Sequence, residues 1–262
     1  MPISFDKKSL QLHNAKRAVA MYVWEQFIIK DDNPRVIIDA GSSAEAVAAV
    51  ITEQIALHSL EEREFVVPTV FTHNLGAWRV LSDSKDKIDV YLVGGRYNPH
   101  LNAIIEPTVF QDQIAAWSPN IAVIAVSGVD EQGLYCSNIQ DERPVKQALA
   151  EKKVERRLIL CDHSKIGRTD VRMFVDLEHI TQDCPEVFLI TDEYDWKDVT
   201  PAYRQPAYRA TLDAFEQTLG KDKVICVPVS KSTRRDEPAS SKLAANGSPR
   251  KSGDSSTKLH RR

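Results

Sequence analysis

Cysteine is scarce in this chain and scattered where it occurs. The 262 residues carry four, Cys136, Cys161, Cys184 and Cys226, with no C-x-x-C pair and no histidine at metal-ligand spacing. Disulfide frameworks and zinc sites need such paired spacings, so reduced cysteines filling a core or its edge are expected, with no metal site. Long apolar runs are missing too: none approaches the ~20 residues that a membrane-crossing helix requires. The start, MPISFDKKSLQ, has no apolar stretch of the signal-peptide kind. These absences point to the cytoplasm and away from a membrane. No internal repeat of useful length is visible.

Positive charge is lacking where folding is expected. The formal net charge is −3, yet residues 231–262 hold nine Lys and Arg against three Asp and Glu, a surplus of six, which leaves the rest of the chain at −9. So acidic a body is a poor electrostatic partner for nucleic acid, whose binding rests on Lys and Arg neutralising phosphates. A small anionic ligand needs only a local pocket. Beyond residue 229 the chain is rich in Ser, Lys, Arg, Gly and Pro and poor in apolar residues. The expected organisation is therefore a folded domain over 1–229 and a disordered basic Ser-rich tail over 230–262.

Short β-branched runs recur along the folded part: VIID (36–39), FVVPTVF (65–71), IDVYLVG (88–94), IAVIAVS (121–127), RLILCD (157–162), VFLIT (187–191) and VICVP (224–228). They read as strands buried on both faces. Helical patterns such as SSAEAVAAVITEQIALHSL (42–60) and RPVKQALAEKKVE (143–155) lie between them. Strand, helix, strand predicts an α/β fold with a mostly parallel sheet flanked by helices. Residues 8–29, with Leu12, Ala15, Val19, Tyr22, Val23 and Phe27 near one stripe, read as one amphipathic helix. That stripe suits packing on its own sheet or on a second subunit equally. Residues 202–219 read as a helix stopped by Gly220.

In parallel sheets ligands bind beyond the carboxyl ends of the strands. The first such loop, Asp39-Ala40-Gly41-Ser42-Ser43-Ala44-Glu45, opens a helix, and Ser42 with Glu45 has the spacing of a capping box. Unpaired N–H groups at a helix start, with two hydroxyls, suit a phosphate, although Ser42 merely capping the helix fits the same residues. Later strands end in Thr72-His73-Asn74, Gly94-Gly95-Arg96, Ser127-Gly128-Val129-Asp130 and Asp162-His163-Ser164-Lys165-Ile166-Gly167-Arg168.

The series IIDAGSSAEAVA, VFTHNLGAW, VYLVGGRYNPHLNAIIEP, IAVIAVSGVDEQGLYCSNIQDERPVKQALAE, LILCDHSKIGRTDVRMFVDLEHI and VFLITDE resembles the C-terminal sensor domain of DeoR-type regulators over about residues 8 to 195. The glycine-glycine turn with Pro107, the S-G-V-D segment before an E-x-x-V-K helix, and D-H-S-K-I-G-R carry most of it. The resemblance implies the Rossmann-like fold of ribose-5-phosphate isomerase, glucosamine-6-phosphate deaminase and coenzyme A transferases, and binding of a phosphorylated metabolite of the sugar-phosphate kind. It implies no cofactor.

Carried over from that family, Asp39, Gly41, Ser42 and Ser43 match its D-S-G-T-T phosphate loop, with Ala40 at the usual Ser or Thr. His73 and Asn74 match a T-N-S/A step, His73 replacing the commoner Asn. Gly94, Gly95, Asp130, Glu142, Lys165 and Arg168 complete the expected ligand set. Asp130, Glu142 and Lys165 are also the catalytic candidates should the chain be an isomerase, a carboxylate moving a proton while Lys165 steadies the enediolate oxygen. Against each stands a structural role: Glu142 and Lys146 have the i, i+4 spacing of a surface ion pair, and Asp162 with Lys165 can tie down a turn. About 35 residues precede the first strand, whereas a winged helix-turn-helix takes ~50–60. The sequence therefore reads as a sensor without its own DNA-binding domain, forming a homo-oligomer or signalling to a separate protein partner. An isomerase and a scaffold with a vestigial pocket remain the alternatives.

Overall fold

A computed structural model describes residues 12–61, 64–84, 88–168, 172–193 and 205–229. The expected tail, 230–262, and residues 8–11 of the expected N-terminal helix lie outside them.

Helix α1 (His13–Val23) runs into one π-type turn, Trp24–Ile28. There follow β1 (Arg35–Ile38), α2 (Ser42–Leu60), β2 (Thr69–Thr72), α3 (Leu75–Ser82) and β3 (Val90–Leu92). A hairpin, β4 (Tyr97–Asn98) and β5 (Ala103–Ile104), precedes α4 (Pro107–Ala116) and β6 (Ile121–Ala125). Next come β7 (Gly128–Val129), β8 (Gly133–Cys136), α5 (Glu142–Ala150), β9 (Arg156–Leu160) and β10 (Arg172–Asp176). The chain continues through β11 (Glu186–Asp192), α6 (Gln205–Leu219) and β12 (Val224–Val227).

Seven strands form one sheet in the order β12-β11-β9-β6-β1-β2-β3, every pairing parallel. The expected α/β class is the observed one. Side chains alternate across a strand, and the two faces build two cores. Ile37, Ile124 and Ile159 meet Phe110, Val145 and Phe215 of α4, α5 and α6. Val36, Val123 and Leu158 meet Val19, Ile51 and Ala77 of α1, α2 and α3 on the other side. Helix α1 thus packs on α2 and on its own sheet beside β11 and β12.

Three local expectations give way. The run 65–71 is a strand only from Thr69, because Pro68 has no N–H to give a ladder. The continuous N-terminal helix changes to π geometry at Trp24, whose ring packs edge-on to His58 and Phe65. The segment after β6 builds a small antiparallel sheet, β10-β8-β7, from strands too short to show in the apolar pattern.

Candidate phosphate-binding site

From β1 the strand order grows outward through β2 and β3 on one side and through β6, β9, β11 and β12 on the other. The direction of winding reverses between β1 and β6. Open α/β sheets bind ligands at such a switch point, outside the carboxyl ends of the strands. The loop Asp39–Ser43 lies there, and a Cβ on Gly41 would stand 3.0 Å from that of Ala125 at the end of β6.

Gly41 has φ +131°, which L side chains rarely adopt, and from it α2 starts directly at Ser42 with no side chain capping it. This corrects the capping-box reading: Gly41, not Ser42, is the cap residue, so the hydroxyls of the loop are not spent on the helix end. Glu45 N–H bonds Gly41 O at 2.9 Å. The N–H groups ahead of it form the positive end of a 19-residue helix. Ser43 Oγ is buried and is without a hydrogen-bond partner.

Beneath the loop sits a buried charge network. Asp39, with no exposed surface, bonds Lys146 Nζ, His73 Nε2 at 3.0 Å and the Ala125 N–H at 3.1 Å. Lys146 also donates to Ala125 O at 2.7 Å and Ala40 O at 3.3 Å, so one ammonium clasps the ends of β1 and β6. Burial alone would raise the Asp39 carboxyl, but Lys146 and His73 bring it below the usual range. Burial would likewise lower the Lys146 ammonium, but Asp39 and Glu142 hold it above. The pair is ionised, and it is scaffold: Asp39 shapes the loop from inside. His73 Nδ1 faces Ile104 O at 3.1 Å, and Asn74 caps α3 while its amide donates to Asp39 O and Gly41 O at 3.2 and 3.3 Å.

The surface-pair reading of Glu142 and Lys146 is overturned. Both are buried, and Glu142 Oε2 accepts from the Ser137 hydroxyl and N–H instead. Residues 142, 145, 146 and 149 form one buried stripe of α5, so helical periodicity already aimed Lys146 at the core. Asp130 is equally inward. It accepts from Gln132 N–H (2.9 Å), Gly133 N–H (3.1 Å) and Tyr135 OH (2.9 Å), pinning a turn. Burial and that carboxylate push the Tyr135 hydroxyl up to about 12.

The loop after β9 reaches the other side of Ser43. Asp162 caps the turn His163–Lys165 through Ser164 N–H at 3.1 Å, as the turn-tying reading expects, and Lys165 Nζ stands 3.4 Å from its carboxylate. Burial would raise this carboxyl, but Lys165, the Ser164 hydroxyl and Lys16 of α1 bring it down. Asp162, Ser43 and Cys161 line one crevice with Ala15, Lys16 and Val19 of α1, too narrow for a water molecule. Two residues beside this loop were missed by sequence reasoning. Asp192, at the end of β11, accepts from His163 N–H at 2.7 Å and meets its Nδ1 at 2.6 Å. The second is Lys16, buried on the Ala15–Val19 stripe.

Asp39, Gly41, Ser42, Ser43, His73 and Asn74 are thus brought together, with Lys165 joining through Asp162. Gly94 and Gly95 stand apart, after β3, two strands or about 10 Å along the sheet. Gly94 N–H donates to Gln113, and Gly95 (φ +131°) lets the backbone pass Glu106. Arg168 lies in the same loop as Lys165, its N–H on Val129 O at 3.2 Å. A larger cavity, about 510 Å3, lies between α5 and β10, away from this loop. No group of metal-ligating side chains occurs among the described residues, and no described helix is long and apolar enough to cross a membrane.

Among solved structures, ribose 5-phosphate isomerase A of Methanocaldococcus jannaschii is similar at 13% identity and a TM-score of 0.39, over 57% of this chain and 52% of that one. A monomeric glucosamine-6-phosphate deaminase matches at 13% and 0.39, over 69% of this chain and 95% of its own. In sequence, the HTH-type transcriptional repressor GlcR of Bacillus subtilis is 27% identical over 161 residues, 62% of this chain and 54% of the repressor. The deoxyribose operon repressor of Escherichia coli is 25% identical over 194 residues, 72% of this chain and 68% of that protein. The chain therefore spans about half to two thirds of the repressors that it matches. The model of the DeoR C-terminal sensor domain matches residues 11–193, and the chain belongs to that family.

Proposed function

We propose that this chain is an effector-sensing module whose ligand is a small phosphorylated metabolite, of the sugar-phosphate class, held at the loop Gly41-Ser42-Ser43. One observation carries the reading: at the topological switch point, a long helix begins without a side-chain cap, beside a buried serine hydroxyl that has no partner. A phosphate would supply acceptors to both, and the helix end favours its charge.

The isomerase alternative needs a carboxylate facing the ligand. Asp130 and Glu142 instead spend their oxygens on a turn and on Ser137, which favours binding over proton transfer. The sensed state would then pass to a second copy of the chain or to a partner protein.

The test is a thermal-shift and calorimetric panel of sugar phosphates, their unphosphorylated parents and inorganic phosphate. Phosphorylated members should bind, the parents should not, and Ser43→Ala and Lys165→Ala should each weaken binding about tenfold, as for a charge-assisted hydrogen bond. If no phosphorylated compound shifts the protein, the reading fails and a scaffold with a vestigial pocket takes its place.

A further inference from the structure

The cavity of about 510 Å3 between α5 and β10 has no part in the phosphate reading. One wall is the stripe Arg143, Gln147 and Glu151 of α5, residues four apart and so aligned along the helix. The other wall is β10, from Met173 to Asp176. β10 ends the small sheet β10-β8-β7: one edge of its backbone pairs with β8, and among the described residues no strand pairs with the other. Such an edge is a template for a further strand. Met173, 39% exposed, adds an apolar contact beside it.

The two walls share one polarity. Arg172, which opens β10, stands opposite Cys136, next to the Ser137 whose N–H Glu142 accepts at the start of α5. At the far end Arg157 donates to Lys152 O, just past α5, and to Ile180 O and Gln182 O, shortly past β10. Both walls therefore run from a basic start, Arg143 and Arg172, to an acidic end, Glu151, Asp176 and Asp183, where His179 rests on Asp176. Eight helical residues separate Arg143 from Glu151, about 12 Å. A compact metabolite cannot touch both ends, whereas four residues of a strand cover about that distance and return to the same face.

We propose that this groove docks an extended segment of a partner protein, which adds to β10 as a fourth, antiparallel strand and carries a Lys or Arg four residues before an Asp or Glu. The direction follows from the sheet, whose strands are already antiparallel, the pairing that is more stable per residue. Entering at the Asp176 end, the segment sets its basic residue against Glu151, Asp176 and Asp183 and its acidic residue against Arg143 and Arg172. Backbone hydrogen bonds supply the affinity, and the end charges fix register and direction. Helix α5 has both duties: its buried face carries Lys146 to Asp39, and its outer stripe meets the partner. The inference stands on the groove alone and not on the phosphate reading.

Calorimetry and hydrogen–deuterium exchange on the full chain test this with two heptapeptides, acetyl-TKVTVET-amide and its charge-reversed twin acetyl-TEVTVKT-amide. The Lys-first peptide should bind about tenfold tighter, because reversal turns attraction into repulsion at both ends, and it should slow exchange of the β10 amides. Arg143→Glu combined with Glu151→Arg changes two exposed residues. That variant should keep the parent's thermal midpoint and bring the two peptides to within a few-fold of each other, since one wall then opposes the other. Binding by neither peptide, equal binding by both, or a preference that the double reversal leaves untouched overturns the inference. Self-association of the full chain in sedimentation, weakened by the same reversal while neither peptide binds, would give the groove to a second copy instead.

Discussion

Lys146 shows what a single residue contributes here. Its ammonium joins the Asp39 carboxylate to the carbonyls that end β1 and β6, so removing it leaves a carboxylate with no exposed surface and without its ammonium partner, held only by His73 and backbone N–H groups. Breaking a buried pair from one side costs about 3–5 kcal/mol, whereas replacing both partners by neutral groups costs far less. Lys146→Met should lower the denaturation midpoint by that amount, and Asp39→Asn with Lys146→Met should recover most of it. The pH dependence distinguishes pairing from packing. In the native chain Asp39 lies below its ordinary pKa, so its contribution is present above that value and lost as pH falls through the folded one. In Lys146→Met the carboxyl keeps His73 and the Ala125 N–H but loses the ammonium that holds it down, so the variant loses less stability than the parent as pH falls through the carboxylate range. Denaturant curves at several pH values would read this. A variant whose deficit is constant with pH would mean that Lys146 acts only through its packing.

At the scale of an element, the start of α2 turns on Gly41. Any side chain there meets φ +131° and a Cβ 3.0 Å from Ala125. Gly41→Ala should cost about 1–3 kcal/mol of stability and, by moving the N–H groups of the proposed phosphate site, abolish phosphate binding. Full affinity in that variant would remove the helix start from the site. The same element shows what was legible in the sequence. The bounds of α2 follow from its apolar pattern, and the strands of the parallel sheet follow from runs such as IAVIA, buried at every position. The capping box did not survive, because spacing alone cannot distinguish Ser42 as cap from Gly41 as cap; φ decides it. Lys146 was present on the buried stripe of α5, but charge outweighed periodicity in the reading. The His163–Asp192 contact joins residues 29 apart, and nothing local in either segment announces the other. The small sheet of β7, β8 and β10 escaped for a similar reason: two- to five-residue strands with one bulge carry no alternation long enough to read.

The whole molecule pairs an acidic body with a basic end, and the proposed anionic ligand would feel both. Removing the residues after Val229 takes away nine positive and three negative charges, moving the formal net charge from −3 to −9. Packing should not notice, because Val227 of β12 already closes one core and Phe215 of α6 the other. The chain ending at Val229 should therefore keep its thermal midpoint; for a body of this size a change of 1 kcal/mol moves that midpoint by about 2–4 °C, so a larger fall would make the tail part of the fold. Ligand affinity should separate by ionic strength. Near 0.15 M salt the Debye length is about 8 Å, and charges on a tail farther away than that are screened, whereas at 0.01 M it is about 30 Å and they are felt. The shortened chain should bind a sugar phosphate as well as the full chain at physiological salt, and more weakly at low salt, where the body repels an anion without the tail to offset it. Weaker binding by a constant factor at every ionic strength would instead put a basic residue of the tail in direct contact with the ligand.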